Sequence, residues 1–252
     1  MSRKLCVGLL ASVALVLTVA PAAAAVPANI AAAVADASRP ETDTKRDADR
    51  KPAEMLAFTG VKTGDKVADV IPGGGYFSRL FSAAVGPKGA VYGYMPSEFA
   101  KFSKTPLPAT GTHPDAARPN ITFLTGPMNS FATPEKLDVV WTSQNYHDLH
   151  DSFAAPSDLA VINKAVFAAL KPGGVYVVLD HSATDGSGLA ATDSLHRIDA
   201  AQVKKEVEAA GFKYEGETNA LRNPADPRTA NVFDASIRGH TDQFIYKFRK
   251  PK

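Results

Sequence analysis

The chain has 252 residues, with 28 lysines and arginines against 26 acidic residues and 45% hydrophobic content. That is the composition of an ordinary globular chain, long enough for one large domain. A single cysteine excludes a disulfide framework, and the basic residues form no cluster of the kind a nucleic-acid surface needs.

Arg3 and Lys4 open the chain, the apolar run LCVGLLASVALVLTVA follows, and PAAAA supplies small residues. This is the pattern of a secretory signal peptide over residues 1–25, cut near Ala25. The run is short for a membrane span of roughly 20 residues, so no membrane association is expected after cleavage. Cys6 lies at the start of the run, not at its far end where a lipoprotein cysteine would sit. The mature chain therefore has no thiol for a metal site or a nucleophile. Without Arg3 and Lys4 it carries 26 basic and 26 acidic residues. A periplasmic or secreted protein is expected.

Residues 26–45 are Ala-rich, hold Pro27 and Pro40, and read as a linker before a domain over 46–252. The apolar stripe of AEMLAF predicts a helix over 46–59, stopped by Gly60. KVADVI is the first strand. PGGG follows, then the helix YFSRLFSAAV, with Phe77, Leu80, Phe81 and Ala84 on one face. GAVYGYM is the second strand. Residues 96–119 hold five prolines and predict an irregular excursion, with at most a helical turn near SEFAKF. NITFLTG and LDVVWTS are the third and fourth strands. A helix then begins at a Ser157 cap and ends before Gly173 and Gly174. VYVVLDHS is the fifth strand, with Asp180 and His181 at its tip. The helix DAAQVKKEVEAAG has Asp199 and Gln202 at capping-box spacing, Val203, Val207 and Ala210 on one face, and Gly211 at its end. FKYEGET and DQFIYKF close the chain as two strands with no helix between them, and KFRKPK reads as a solvated tail.

Strand and helix in alternation, then a final strand pair, predict an α/β Rossmann-like, doubly wound, mostly parallel seven-stranded sheet with one antiparallel strand near the C-terminus. Ligands of such sheets bind beyond the carboxyl ends of the strands, where strand order reverses. The site is therefore expected just after the first, second, fourth and fifth strands. Asn145, Tyr146, His147, Asp148, His150 and Asp151 crowd the segment after the fourth strand. Asp180 and His181 end the fifth, and His196 precedes the last marked helix. Two chemistries suit this cluster. A histidine oriented by a carboxylate can act as a general base, with His147–Asp148 or His181–Asp180 as the pair. Histidines and carboxylates can also hold zinc or iron, and His147 with His150 or Asp151 has helical spacing. A third reading is a non-catalytic module holding a small ligand in the same crevice.

VADVIPGGGYFSRLFSAAVGPKGAVYG, LDVVWTSQNYHDLHD, LKPGGVYVVLDHSA, LHRIDAAQVKKEVEAAGF and ALRNPADPR together resemble class I S-adenosylmethionine-dependent methyltransferases, and within them an exported group of bacterial predicted methyltransferases. The resemblance implies S-adenosylmethionine as cofactor, methyl transfer to a small molecule, and a cofactor site made of Asp69, Gly73, Gly74, Gly75 and Tyr76. It implies an acceptor side made of Tyr146, His147, Asp148, Asp180, His181 and His196. Ile71 stands where the family's first loop glycine belongs. Met95 stands where an acid usually takes the ribose hydroxyls, leaving Glu98, three residues on, as the nearest carboxylate. After the third strand the acid that often meets the adenine amine is lacking, and Asn129 is the hydrogen-bonding group the resemblance offers in its place.

Overall fold

The computed structural model describes residues 25–102 and 111–252. The expected leader therefore lies outside the described residues, save Ala25. Among the described residues, no helix is long and apolar enough to cross a membrane.

Among the described residues the sheet has eight strands. They are β1 (Lys66–Val70), β2 (Ala90–Pro96), β3 (Gly111–Pro114), β4 (Ile121–Gly126), β5 (Leu137–Ser143), β6 (Leu170–His181), β7 (Lys213–Glu217) and β8 (Gln243–Arg249). Their order is β3-β4-β2-β1-β5-β6-β8-β7. β4, β2, β1, β5 and β6 run parallel, and β8 is antiparallel to both of its neighbours, β6 and β7. This is the doubly wound sheet expected, with one strand more. β3 lies in the Pro-rich excursion and adds antiparallel to the edge at β4. Its four residues, GTHP, carry no apolar alternation, so the sequence does not announce it. The helical turn at Ser97–Phe102 is present as a 3-10 turn.

The stretch read as a linker is folded. It forms α1 (Ala28–Val34) and α2 (Glu41–Thr44). α1 buries Ile30 and Ala33 in the same apolar layer as Leu56, Leu80 and Phe81. Its alanines leave only two apolar anchors visible, which is why composition alone suggests a spacer. The helix expected over 46–59 is broken into α3 (Asp47–Arg50) and α4 (Pro52–Thr59). Pro52 lacks an N–H and suits only the first turn of a helix, so the chain breaks at Lys51, which is left-handed at φ 44°.

α5 (Tyr76–Val85) packs with α1 and α4 on one face of the sheet against Val67, Val91, Val139 and Val177. α6 (Leu159–Ala169) and α8 (Ala200–Ala209), with the short α7 (Thr192–Leu195) between them in the chain, cover the other face, where Ile162, Val166, Val203 and Val207 meet Ala68, Val140 and Val178. The alternation along each strand, such as Val139 against Val140, divides the two layers. α6 is capped by Asp158, not Ser157, because the Asp158 carboxylate accepts from the Ala160 N–H at 2.8 Å. α8 is capped by Asp199 as expected. Gln202 does not complete a capping box; it donates to Glu206 at 2.7 Å instead. Nor is the basic C-terminus loose. Arg249 pairs with Glu215, and Lys250 donates to the carbonyls of Phe167 and Leu170.

Candidate active site

Strand order reverses between β1 and its neighbour β5, so the loops after these two strands flank the crevice. The loop after β1 keeps the shape of a glycine turn despite Ile71. Ile71 has φ 55°, Gly73 has φ 54° and Gly75 has φ 79°. A β-branched residue in this left-handed region is a strained outlier, and its surroundings hold it there. The Ile71 N–H donates to the Tyr94 carbonyl at 2.8 Å, and its carbonyl accepts from the Asn145 side-chain amide at 3.2 Å. Gly73 and Gly74 are exposed, and a Cβ on either would meet nothing within 4 Å. At Gly75 a Cβ would lie 2.9 Å from the movable end of the Arg79 side chain, and the left-handed φ of 79° is what favours glycine there.

The other residues matched to the cofactor site are held by the protein itself. Asp69 is 3% exposed and accepts from the Ser78 hydroxyl at 2.6 Å. Burial pushes its carboxyl up to about 7. It ties β1 to the first turn of α5 and so shapes the loop without opening onto it. Tyr76 is also buried; its hydroxyl donates to Asp47 at 2.7 Å, and the guanidinium of Arg50 lies 4.9 Å from its ring centroid. Glu98, offered by the sequence as the ribose acid, accepts from the Met128 N–H at 3.2 Å, bridging the ends of β2 and β4. Asn129 donates to the Pro156 carbonyl at 2.8 Å.

At the tips of β5 and β6 the structure brings together His147, Asp148, His181 and His196. The ring centroid of His147 lies 6.1 Å from that of His181 and 5.5 Å from that of His196. His147 is 2% exposed and doubly held by Asp180, which accepts from its backbone N–H and from Nδ1, both at 2.8 Å. Burial works against a charged ring, yet the carboxylates of Asp180 and Asp148 outweigh it and raise His147 to about 10. This favours the protonated ring, which the two carboxylates hold between them. Asp180 is fully buried, but its bonds to His147 hold its carboxyl below the ordinary value. It positions the His147 ring.

His181 is the opposite case. Burial, with the cations of His147 and Arg197 nearby, lowers it to about 4. It is a neutral imidazole whose Nδ1 lies 2.7 Å from the Thr241 hydroxyl. Tyr146 leaves the acceptor side altogether. It is fully buried, accepts from Asn163 at 2.8 Å and donates to Glu206 at 2.9 Å. His150 turns to Glu206 as well, at 3.2 Å. Residues 147–150 form a 3-10 turn, and the different partners, Asp180 for His147 and Glu206 for His150, separate the two rings.

Sequence reading missed the walls of this crevice. His181 opens onto a polar cavity of about 440 Å³ lined also by Arg46, Arg50, Gln144, Phe233 and Arg238. Arg46 and Arg50 come from the segment around α3, which is clamped beside the glycine loop. Arg79 of α5 donates to both oxygens of Asp43 at 2.7 and 2.9 Å, and Arg39 grips Asp47 through two bonds. Phe233 and Arg238 come from the long segment before β8, anchored by a fully buried Arg197–Asp226 pair at 2.8 Å. The spacing of Arg46 and Arg50, one helical turn apart, was the only local signal.

The chain has the class I methyltransferase fold. An S-adenosylmethionine-dependent methyltransferase from Aquifex aeolicus superposes with a TM-score of 0.50 at 16% identity, covering 78% of this chain and 88% of that one. An arsenic(III) S-adenosylmethionine methyltransferase from Chlamydomonas reinhardtii gives 0.51 at 15% identity, over 90% and 75% of the two chains. A [4+2]-cyclase gives 0.53 at 19% identity, over 81% of each. At these identities the likeness establishes the architecture; reaction and substrate follow from the site. No family model and no curated protein matches the chain.

Proposed function

We propose that the chain is an S-adenosylmethionine-dependent methyltransferase acting on a small molecule that carries an acidic group, and that it works outside the cytosol once the leader over residues 1–25 is removed. The observation that carries this reading is the loop after β1. Ile71 preserves the left-handed turn a glycine would supply, and Gly73 and Gly74 face open space at the point where strand order reverses. Bound there, the cofactor supplies an electrophilic methyl group. Gly73 and Gly74 let it approach the backbone closely, and α5 directs its N-terminal dipole toward the same loop. The fit is incomplete at the ribose end, where Met95 and an engaged Glu98 offer no free carboxylate.

The acceptor side is electropositive. Arg46, Arg50 and Arg238 line the cavity against one acid, Asp49. Guanidinium groups in this number favour a carboxylate or phosphate. His181 lines the same cavity, and because its surroundings disfavour the protonated ring it offers a ring nitrogen that can accept a hydrogen bond from the acceptor's hydroxyl or amine.

Calorimetric titration of the leader-free protein with S-adenosylmethionine tests the reading, with binding of one equivalent per chain as the expected result. Absence of heat at millimolar cofactor removes it. Cell fractionation tests the location.

A further inference from the structure

We propose that His147, Asp148 and His196 form a binding site for a divalent first-row transition-metal ion of the zinc type. Their ligand atoms all lie within 4.8 Å of one another. Asp148 Oδ1 is the hinge, 3.2 Å from His147 Nε2 and 3.5 Å from His196 Nδ1. Around a tetrahedral ion with Zn–N and Zn–O bonds of about 2.0–2.1 Å, neighbouring donors stand roughly 3.3–3.4 Å apart. The two separations bracket that edge, and the two histidine nitrogens, within 4.8 Å of each other, complete the triangle as an ion draws them in.

The surroundings are those of a metal ligand. The other ring nitrogen of His147, Nδ1, sits on the buried Asp180 carboxylate at 2.8 Å. A carboxylate behind a ligating histidine fixes the ring and raises its donor strength. Asp180 is itself fixed, accepting also from the His181 backbone N–H at 2.7 Å. His196 is aimed by its backbone, left-handed at φ 54°, and its ring rests 5.0 Å from Phe233. Two histidines and one carboxylate leave positions open on the ion, and the set suits zinc or ferrous iron better than magnesium or calcium. Phe233, which touches His196, also lines the cavity beside His181. An oxygen or sulfur ligand entering that cavity is therefore near the open positions.

Metal binding here does not depend on the methyltransferase reading, and titration with S-adenosylmethionine alone reports that reading separately. The test uses the full chain stripped with a chelator, then titrated with zinc chloride by calorimetry and with cobalt(II) by visible absorption. One ion per chain is expected, with the intense cobalt bands of a low-coordinate site. Asp148→Asn and His196→Ala, both at partly exposed positions, should each weaken zinc at least tenfold while melting like the parent. His240→Ala should leave the titration unchanged. Asp180→Asn should weaken binding by about 10–100-fold through the orientation of His147. Uptake of less than one ion by the parent, or affinities of Asp148→Asn and His196→Ala within threefold of it, overturns the proposal.

Discussion

The Asn145 side-chain amide donates to the carbonyl of Ile71 at 3.2 Å and to that of Val70 at 3.3 Å. One residue at the tip of β5 thus fixes the end of β1 and the strained turn beyond it. Asn145→Ala leaves both carbonyls without this donor in a buried place, at a cost of about 1–3 kcal/mol. Urea unfolding should show that loss. Ile71→Gly should instead leave cofactor affinity within about twofold, because glycine adopts the same turn freely. A large loss of affinity in Ile71→Gly would mean that the isoleucine side chain itself contacts the ligand.

Asp69 gives the pH dependence a definite sign. Its unfolded carboxyl titrates near 3.9, while burial raises it to about 7 in the fold. Between these values the folded state holds a proton that the unfolded state has released. Stability from this group is complete below about pH 4 and is lost as pH rises through 7, by up to about 1.4 kcal/mol per pH unit. Asp69→Asn keeps an acceptor for Ser78 and removes the titration. Its melting temperature relative to the parent should be higher at pH 8 than at pH 5. A difference that does not change with pH would show that Asp69 is ionised throughout.

These two residues also mark what was legible in the chain. Strands and their turns are local patterns, so the apolar runs, the glycines and Pro87 or Pro172 place seven strands of the sheet and the crevice between β1 and β5. Roles in the crevice depend on burial and on partners far along the chain. His147 looks like the partner of its neighbour Asp148 until Asp180, 33 residues away, is found on its Nδ1. Asp69, matched to the cofactor site, proves to be buried against Ser78. The polar segment around α2 and α3 has no apolar pattern to announce it; it is held by ion pairs such as Arg79–Asp43, and these are invisible until the fold is known.

The buried pair Arg197–Asp226 should be a point of failure for the C-terminal wall. Both side chains are fully buried, and Asp226 also accepts from the Asp242 N–H at 2.6 Å. Arg197→Met leaves that carboxylate without its counter-ion, and breaking a buried pair in this way costs about 3–5 kcal/mol. Lys45→Ala, which removes the exposed pair with Glu41, should have no measurable effect. Thermal and urea unfolding compare the two. Limited proteolysis should in addition show cleavage between residues 219 and 242 appearing first in Arg197→Met.

Arg50 separates acceptor binding from cofactor binding. Burial lowers its guanidinium to about 10, which still leaves it charged at neutral pH. It lines the cavity with His181 and donates to the Gln144 side chain at 3.1 Å. Arg50→Met keeps an apolar stem against the Tyr76 and Phe77 rings and removes the charge. A charge-assisted hydrogen bond to an acidic ligand is worth about 1.5–3 kcal/mol, or roughly 10–100-fold in affinity. A thermal-shift panel of dicarboxylates and phosphate esters should find compounds that stabilise the parent and lose that effect in Arg50→Met. Affinity for S-adenosylmethionine should change less than about threefold, since Gly73 and Gly74 are untouched. Equal loss of both ligands would place Arg50 in the cofactor site, and no loss of either would remove the acidic group from the description of the acceptor.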